Sequence, residues 1–210
     1  MKGIKLERIP QAKIRSFIRQ QIANGVTTFR ELTSTYRPGD PLSCYHFHEK
    51  EYQLDLPREQ LWKYYLKANP SVAWEGDLLS FGLMVSKKDQ KVMYPGEPYQ
   101  GITEGQVLFV SVKVIGGLLE LPLAHEIVDV NHERFYLEVS YIKGGKSAGK
   151  QRITFYKNKD GSTKINHSTY YRSASALRDK LVYPYFHTQA IDSYHSNMVC
   201  SFLDTVHRKT

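Results

Sequence analysis

The residues whose types and spacing suit chemistry are a glycine–lysine run and a set of eight histidines. Gly144-Gly-Lys-Ser-Ala-Gly149-Lys150 has the spacing of a phosphate-binding loop, but Gln151 stands where a Ser or Thr hydroxyl would hold magnesium. Such a loop must also open a helix whose N-terminus holds the phosphates, and Arg152-Ile-Thr-Phe-Tyr156 alternates like a strand instead. The run therefore reads as a strand-to-strand loop. His46-Phe-His48 puts two imidazoles on one strand face, and the nearby Glu49 and Glu51 would point to the opposite one. A metal needs three or four converging ligands, so no metal is expected here. His125, His167 and His187 are candidate acid–base groups. No Ser/His/Asp or Cys/His arrangement can be built around them, and Cys200 lies in an apolar stretch that reads as packing. No cofactor is expected.

Elements that position these residues follow from periodicity. Residues 9–24 carry Ile14, Phe17, Ile18 and Ile22 on one helical stripe, with Pro10 near the start and Gly25 as a stop. A second helical piece begins at Thr27 or Thr28, and Arg37–Pro41 is a loop. Residues 1–43 read as a helical extension packed on a main domain of residues 44–210. Cys44–Leu56 alternates as a strand, and Pro57 then opens a helix with Leu61, Trp62, Tyr65 and Leu66 buried. Asn69-Pro70 ends that helix. Strands are predicted at Phe81–Val85, Gln106–Ile115, Leu119–Val130 with a bulge at Pro122, Phe135–Ile142, Arg152–Lys157 and Thr163–Arg172. Gly116-Gly117 turns the chain, and Tyr94–Gly101 is a loop, either on the surface or at a cavity mouth. Leu177–Val206 reads as helical, with Leu181, Tyr185, Ile191, Tyr194, Met198, Val199 and Phe202 as its stripe; Pro184 starts or kinks it, so the long helix begins near Pro184 with a shorter turn before it.

Polar groups on the apolar strand faces are the more telling feature. Phe135, Leu137, Val139 and Tyr141 share one face, and Ile165, His167, Thr169 and Tyr171 share the matching one. His125 shares a face with Leu119, Leu121 and Leu123. A buried polar group costs ~1–3 kcal/mol unless satisfied, so inward His125, Tyr141, His167, Thr169 and Tyr171 point either to an interior holding water or a ligand's polar atoms, or to bonds within the core. A one-residue slip in register would turn all of them outward.

The order of elements over about residues 44–206 resembles the Bet v 1/START-like superfamily, the helix-grip fold. The resemblance is carried by that order and by the Leu56-Pro57-Arg-Glu-Gln-Leu61-Trp62 opening. His167 through Met198 also looks like the DUF1990 branch. The resemblance implies an α+β fold in which a curved antiparallel sheet of about six or seven strands grips a long C-terminal helix, with a cavity between. It implies a lipid, sterol, polyketide or hormone as ligand, and in some members cyclisation or hydration of it. The superfamily has no shared catalytic motif, so no active-site residue is carried over.

Composition narrows the function classes. At 41% hydrophobic and 24% charged, the chain has the make-up of a soluble globular protein. Cys44 and Cys200 form no CxxC pair and no disulfide framework, which fits reduced thiols in the cytoplasm. No stretch reaches the ~18 apolar residues of a membrane span, and the N-terminus has no apolar signal region. The net charge of +8 is dispersed, so nucleic acid is not the expected partner. The expectation is a non-enzymatic protein that binds a small hydrophobic or amphipathic ligand in an internal cavity lined by His125, Tyr141, His167, Thr169 and Tyr171. The alternatives are a cyclase or hydratase using His125 or His167, and an interaction module using the basic surface. The oligomeric state is left open.

Overall fold

A computed structural model describes residues 1, 3–37, 39–114 and 117–208. The expected roles of Pro38, Ile115 and Gly116 lie outside them. Eight strands form one antiparallel sheet: β1 (His46–Leu54), β2 (Leu79–Ser86), β3 (Val92–Met93), β4 (Gln106–Val114), β5 (Leu119–Asn131), β6 (Tyr136–Tyr141), β7 (Ala148–Lys157) and β8 (Thr163–Arg172). Their order is β1-β8-β7-β6-β5-β4-β2-β3. The strand beyond the expected seven is β3, a two-residue pairing with Met84 and Val85 too short to leave a period-two signal. Helix α1 spans Ala12–Ala23, α2 Arg58–Lys67, α3 Pro70–Ala73 and α4 Tyr183–His207. Asn69-Pro70 does not simply end α2; the Asn69 side chain accepts from the Ser71 N–H and caps α3.

Strands β2 and β4 are buried on almost every residue because both sheet faces are covered there. On the convex face, Ile14, Phe17 and Ile18 of α1 pack on Leu83, Val107, Phe109 and Ala124. Ile22 is not on that stripe. It is 46% exposed, and the buried position is taken by Gln21, whose Nε2 donates to the Lys143 carbonyl at 2.9 Å. The last turn of α1 meets a loop carbonyl there, and only a polar side chain can satisfy it. Glu31 accepts from the Thr27 and Thr28 N–H groups at 2.6 and 3.2 Å, which holds its carboxyl below the usual range and fixes the turn that buries Phe29. Thr35 N–H then donates to the Tyr141 carbonyl at 2.7 Å, and Ser34 bridges Ile142 just past the end of β6. Ile18→Val should cost ~1 kcal/mol. It should shift a single unfolding transition in urea; two separable transitions would show that residues 1–43 fold apart from the sheet.

On the concave face, α4 runs across the sheet. Lys50 and Tyr52 of β1 both reach Asp192, at 2.5 and 2.7 Å, and His48 meets Thr188 at 3.0 Å. Trp62 and Tyr65 of α2 pack on Phe155 and close one end. Pro122 makes no bulge. It sits opposite Ser111 where β5 has only β4 as neighbour, so its missing donor is tolerated; the irregularity falls between Ile127 and Asp129 instead.

The start of the long helix departs from the expected stripe. Arg178–Val182 form a π turn before Pro184, near the start of α4. Leu181 and Tyr185 are 68% and 61% exposed, and the buried stripe is His187, Ile191, His195, Met198 and Phe202. A π turn inserts a residue into the helical repeat, so a stripe read at 3.6 residues per turn loses phase across it. Cys200 faces outward and is exposed, as is Cys44.

Candidate functional site

Between the concave face and α4 lies a cavity of about 470 Å³. Its walls are mostly apolar: Trp74, Leu108, Leu121, Leu123, Val139 and Ile191 are typical. Strand alternation explains the lining. Leu119, Leu121, Leu123, His125 and Ile127 point inward from β5, while Ala124 points out to α1. Leu119, Lys146 and Val182 line the cavity and are also solvent-exposed, which places its opening between the start of β5, the β6–β7 loop and the first turns of the C-terminal helix.

His125, Tyr141 and His167 line the cavity. Thr169 and Tyr171 do not; they are buried one layer behind it. Residues of the C-terminal helix come between, because Tyr171 stacks on Tyr183 at 3.7 Å and Thr169 Oγ1 lies 3.3 Å from His187 Nε2. Tyr183 and His187 occupy the wall positions instead. The loop Tyr94–Gly101 does not line the opening. It is pinned to its own surroundings by Tyr99–Gln106 at 3.2 Å and Arg8–Glu97 at 2.8 Å.

A continuous hydrogen-bonded chain runs from Tyr65 and His195, buried behind the lining, to His167, Gln151, Tyr141 and Tyr183 in the wall. Tyr65 Oη meets His195 Nδ1 at 2.9 Å, His195 Nε2 meets His167 Nδ1 at 2.9 Å, and His167 Nε2 meets Gln151 Oε1 at 3.0 Å. Gln151 Nε2 donates to Tyr141 Oη at 2.5 Å, and Tyr141 meets Tyr183 at 2.5 Å. With the Gln151 amide so oriented, its oxygen must accept, so His167 carries its proton on Nε2. His167 Nδ1 then accepts from His195 Nε2–H, and His195 Nδ1 accepts from Tyr65. Every donor points the same way, and the last hydrogen, on Tyr183, is left for a further acceptor.

That arrangement requires neutral imidazoles, and burial supplies them. Desolvation lowers His195 to about 3 and His125 to about 4, and holds His167 and His187 well below the usual histidine range. Burial likewise pushes Tyr183 well above 10. His125 Nε2 and His187 Nδ1 have no hydrogen-bond partner among the described residues.

Sequence reasoning named His187 as an acid–base candidate but not as a wall residue, and missed Gln151, Tyr183, His195 and Arg178 as members of this site. His187 and His195 sit four residues either side of Ile191, which was the available signal. Among the described residues no group of three His, Cys, Asp or Glu side chains converges to hold a metal ion. Lys150 of the glycine-rich run is buried against Glu138 at 3.0 Å and lies over the Tyr36 ring, so it offers nothing to a phosphate. Gly149 is required there for another reason. At φ +127° a Cβ would fall 1.9 Å from the Tyr170 carbonyl oxygen.

A gripping sheet, a long C-terminal helix and a cavity between them define a class, the helix-grip fold of Bet v 1-like proteins, and solved structures agree. Norcoclaurine synthase from Thalictrum flavum, in complex with dopamine and hydroxybenzaldehyde, matches with a TM-score of 0.56 at 15% identity, over 83% of this chain and 96% of that one. Ginseng major latex-like protein 151 matches at 0.54 and 9% identity, over 75% and 97%. Protein Ms6760 from Mycobacterium smegmatis matches at 0.52 and 13%, over 83% and 99%. At these identities the likeness shows the fold. No family model and no curated protein matches the sequence.

Proposed function

We propose that this chain binds a small hydrophobic or amphipathic molecule in the cavity, without turning it over. The carrying observation is the apolar cavity, whose volume is within the ~300–1,000 Å³ of small-molecule sites. Its apolar wall supplies affinity, and Tyr183, His125 and His187 supply the few polar points that orient a ligand. The related structures support the reading, since one of them holds two small aromatic molecules. The stretch His167–Met198 supports a finer placement near the DUF1990 branch.

The same histidines favour binding over turnover. A general base works best with a pKa near the operating pH, and His125 at about 4 and His195 at about 3 lie well below it. A cyclase or hydratase using His125 or His167 would need a bound substrate to restore that basicity.

The first test is native mass spectrometry of the purified chain, followed by denaturing extraction of any bound species. A defined probe makes it decisive. Decanol should bind in calorimetry, and Val139→Trp, which fills the cavity from β6, should weaken it by at least ~10-fold. No decanol binding up to its solubility, with nothing co-purifying, would reject the reading.

A further inference from the structure

We propose that the ligand is an amphipathic acid, its carboxylate held at the cavity mouth by Arg178 and Lys146 and its apolar body inside. This rests on the cavity reading above and adds the chemistry of the head group.

The polarity of the cavity is uneven. Its deep wall is apolar apart from neutral groups, and its two cationic lining residues, Arg178 and Lys146, both sit at the opening. Arg178 is fixed in place: Nη1 donates to the Lys146 carbonyl at 2.8 Å and Nη2 to Ser147 Oγ at 2.6 Å. Two of its five N–H groups are thereby used. The remaining three, and the hydroxyl hydrogen of Ser147, are open to an acceptor. Among the described residues no carboxylate lies within ion-pair distance of Arg178 or Lys146. The adjoining acid, Asp179, accepts instead from the Ser173 N–H at 2.6 Å and its hydroxyl at 2.7 Å.

The charge of Arg178 also reaches inward. It opposes the upward push of burial on the Tyr141 and Tyr183 hydroxyls. A guanidinium held rigid at a mouth, without its own anion, is matched to a planar bidentate acceptor. The carboxylate cannot go deeper. The histidines further in are neutral, and an unpaired anion among them would meet the full cost of desolvation. The head group therefore stays at the mouth, and the tail takes the apolar space behind Tyr183.

The test compares decanoate with decanol at pH 7.5 by calorimetry, using the full chain. Decanoate should bind roughly 10-fold tighter or more, the range of a hydrogen bond to a charged group. Arg178→Met should bring the two probes close to parity and Lys146→Met should narrow the gap, with decanoate losing more affinity than decanol in both variants. Lys146 has an exposed side chain, so Lys146→Met still reports should Arg178→Met fold poorly. Decanol binding with no preference for decanoate overturns the acid site and leaves the cavity reading standing. A preference that survives both substitutions overturns the assignment to these residues. If neither probe binds and nothing co-purifies, both readings fall together.

Discussion

Lowering the pH from 7 to 5 should destabilise the fold by at least ~4 kcal/mol, a large part of the whole stability of a domain this size. Four buried histidines carry the effect: His125, His167, His187 and His195. Burial depresses each folded-state value, to about 4 for His125 and about 3 for His195, against an ordinary ~6.5 in the unfolded chain. Below pH 6.5 the unfolded chain takes up protons that the folded chain refuses. Stability is therefore complete above that value and falls as the pH drops toward the folded values, by about 2 kcal/mol for each of His125 and His195 over this window, with His167 and His187 acting in the same direction. Structure adds a second reason. A protonated His167 would turn its Nδ1–H against the Nε2–H of His195 and break the chain. The carboxyl groups with depressed values, such as Glu31, Glu97 and Asp160, titrate below this range and do not contribute. Urea midpoints between pH 7.5 and 5 read the effect directly, and a flat profile would show that these imidazoles are not buried neutral.

Gln151→Leu should cost about 3 kcal/mol. The amide is the one link that both accepts from His167 and donates to Tyr141, and a leucine of similar size does neither. The His167 N–H loses its acceptor inside the core, and Tyr141 keeps only Tyr183. Adding His167→Phe should not recover the loss, because the Nε2–H of His195 then loses its own acceptor and the unpaired group only moves one step along the chain. Denaturant titration of the single and double variants measures this. A single-variant cost under ~1 kcal/mol would mean that water replaces the amide.

Much of the frame was legible because period-two alternation survives in β1 and β8, because β4 is a nearly continuous apolar run, and because Pro57 opens α2 at a sharp boundary. The inward face of β8 could be read from the strand alone, since Ile165, His167, Thr169 and Tyr171 are all buried. What the strand could not reveal is what lies in front of each residue. Thr169 and Tyr171 are covered by Tyr183 and His187, which belong to a helix whose phase is shifted by the π turn. The same shift hid the exposure of Leu181 and Tyr185. Gln151 was illegible for a different reason: a glutamine on a strand is ordinarily a surface residue, and only its two buried neighbours make it a link.

The hydrogen-bonded chain divides the cavity's walls by how they can change over generations. On the apolar side, Leu121, Leu123 and Val139 each border empty space, and exchanging one for a larger or smaller hydrocarbon reshapes the chamber without orphaning a partner. On the other side, Tyr65, His195, His167, Gln151 and Tyr141 hold one another's protons, so replacing one strands the next. Selectivity for new ligands can therefore drift through single steps along one wall, while the opposite wall is inherited as a unit.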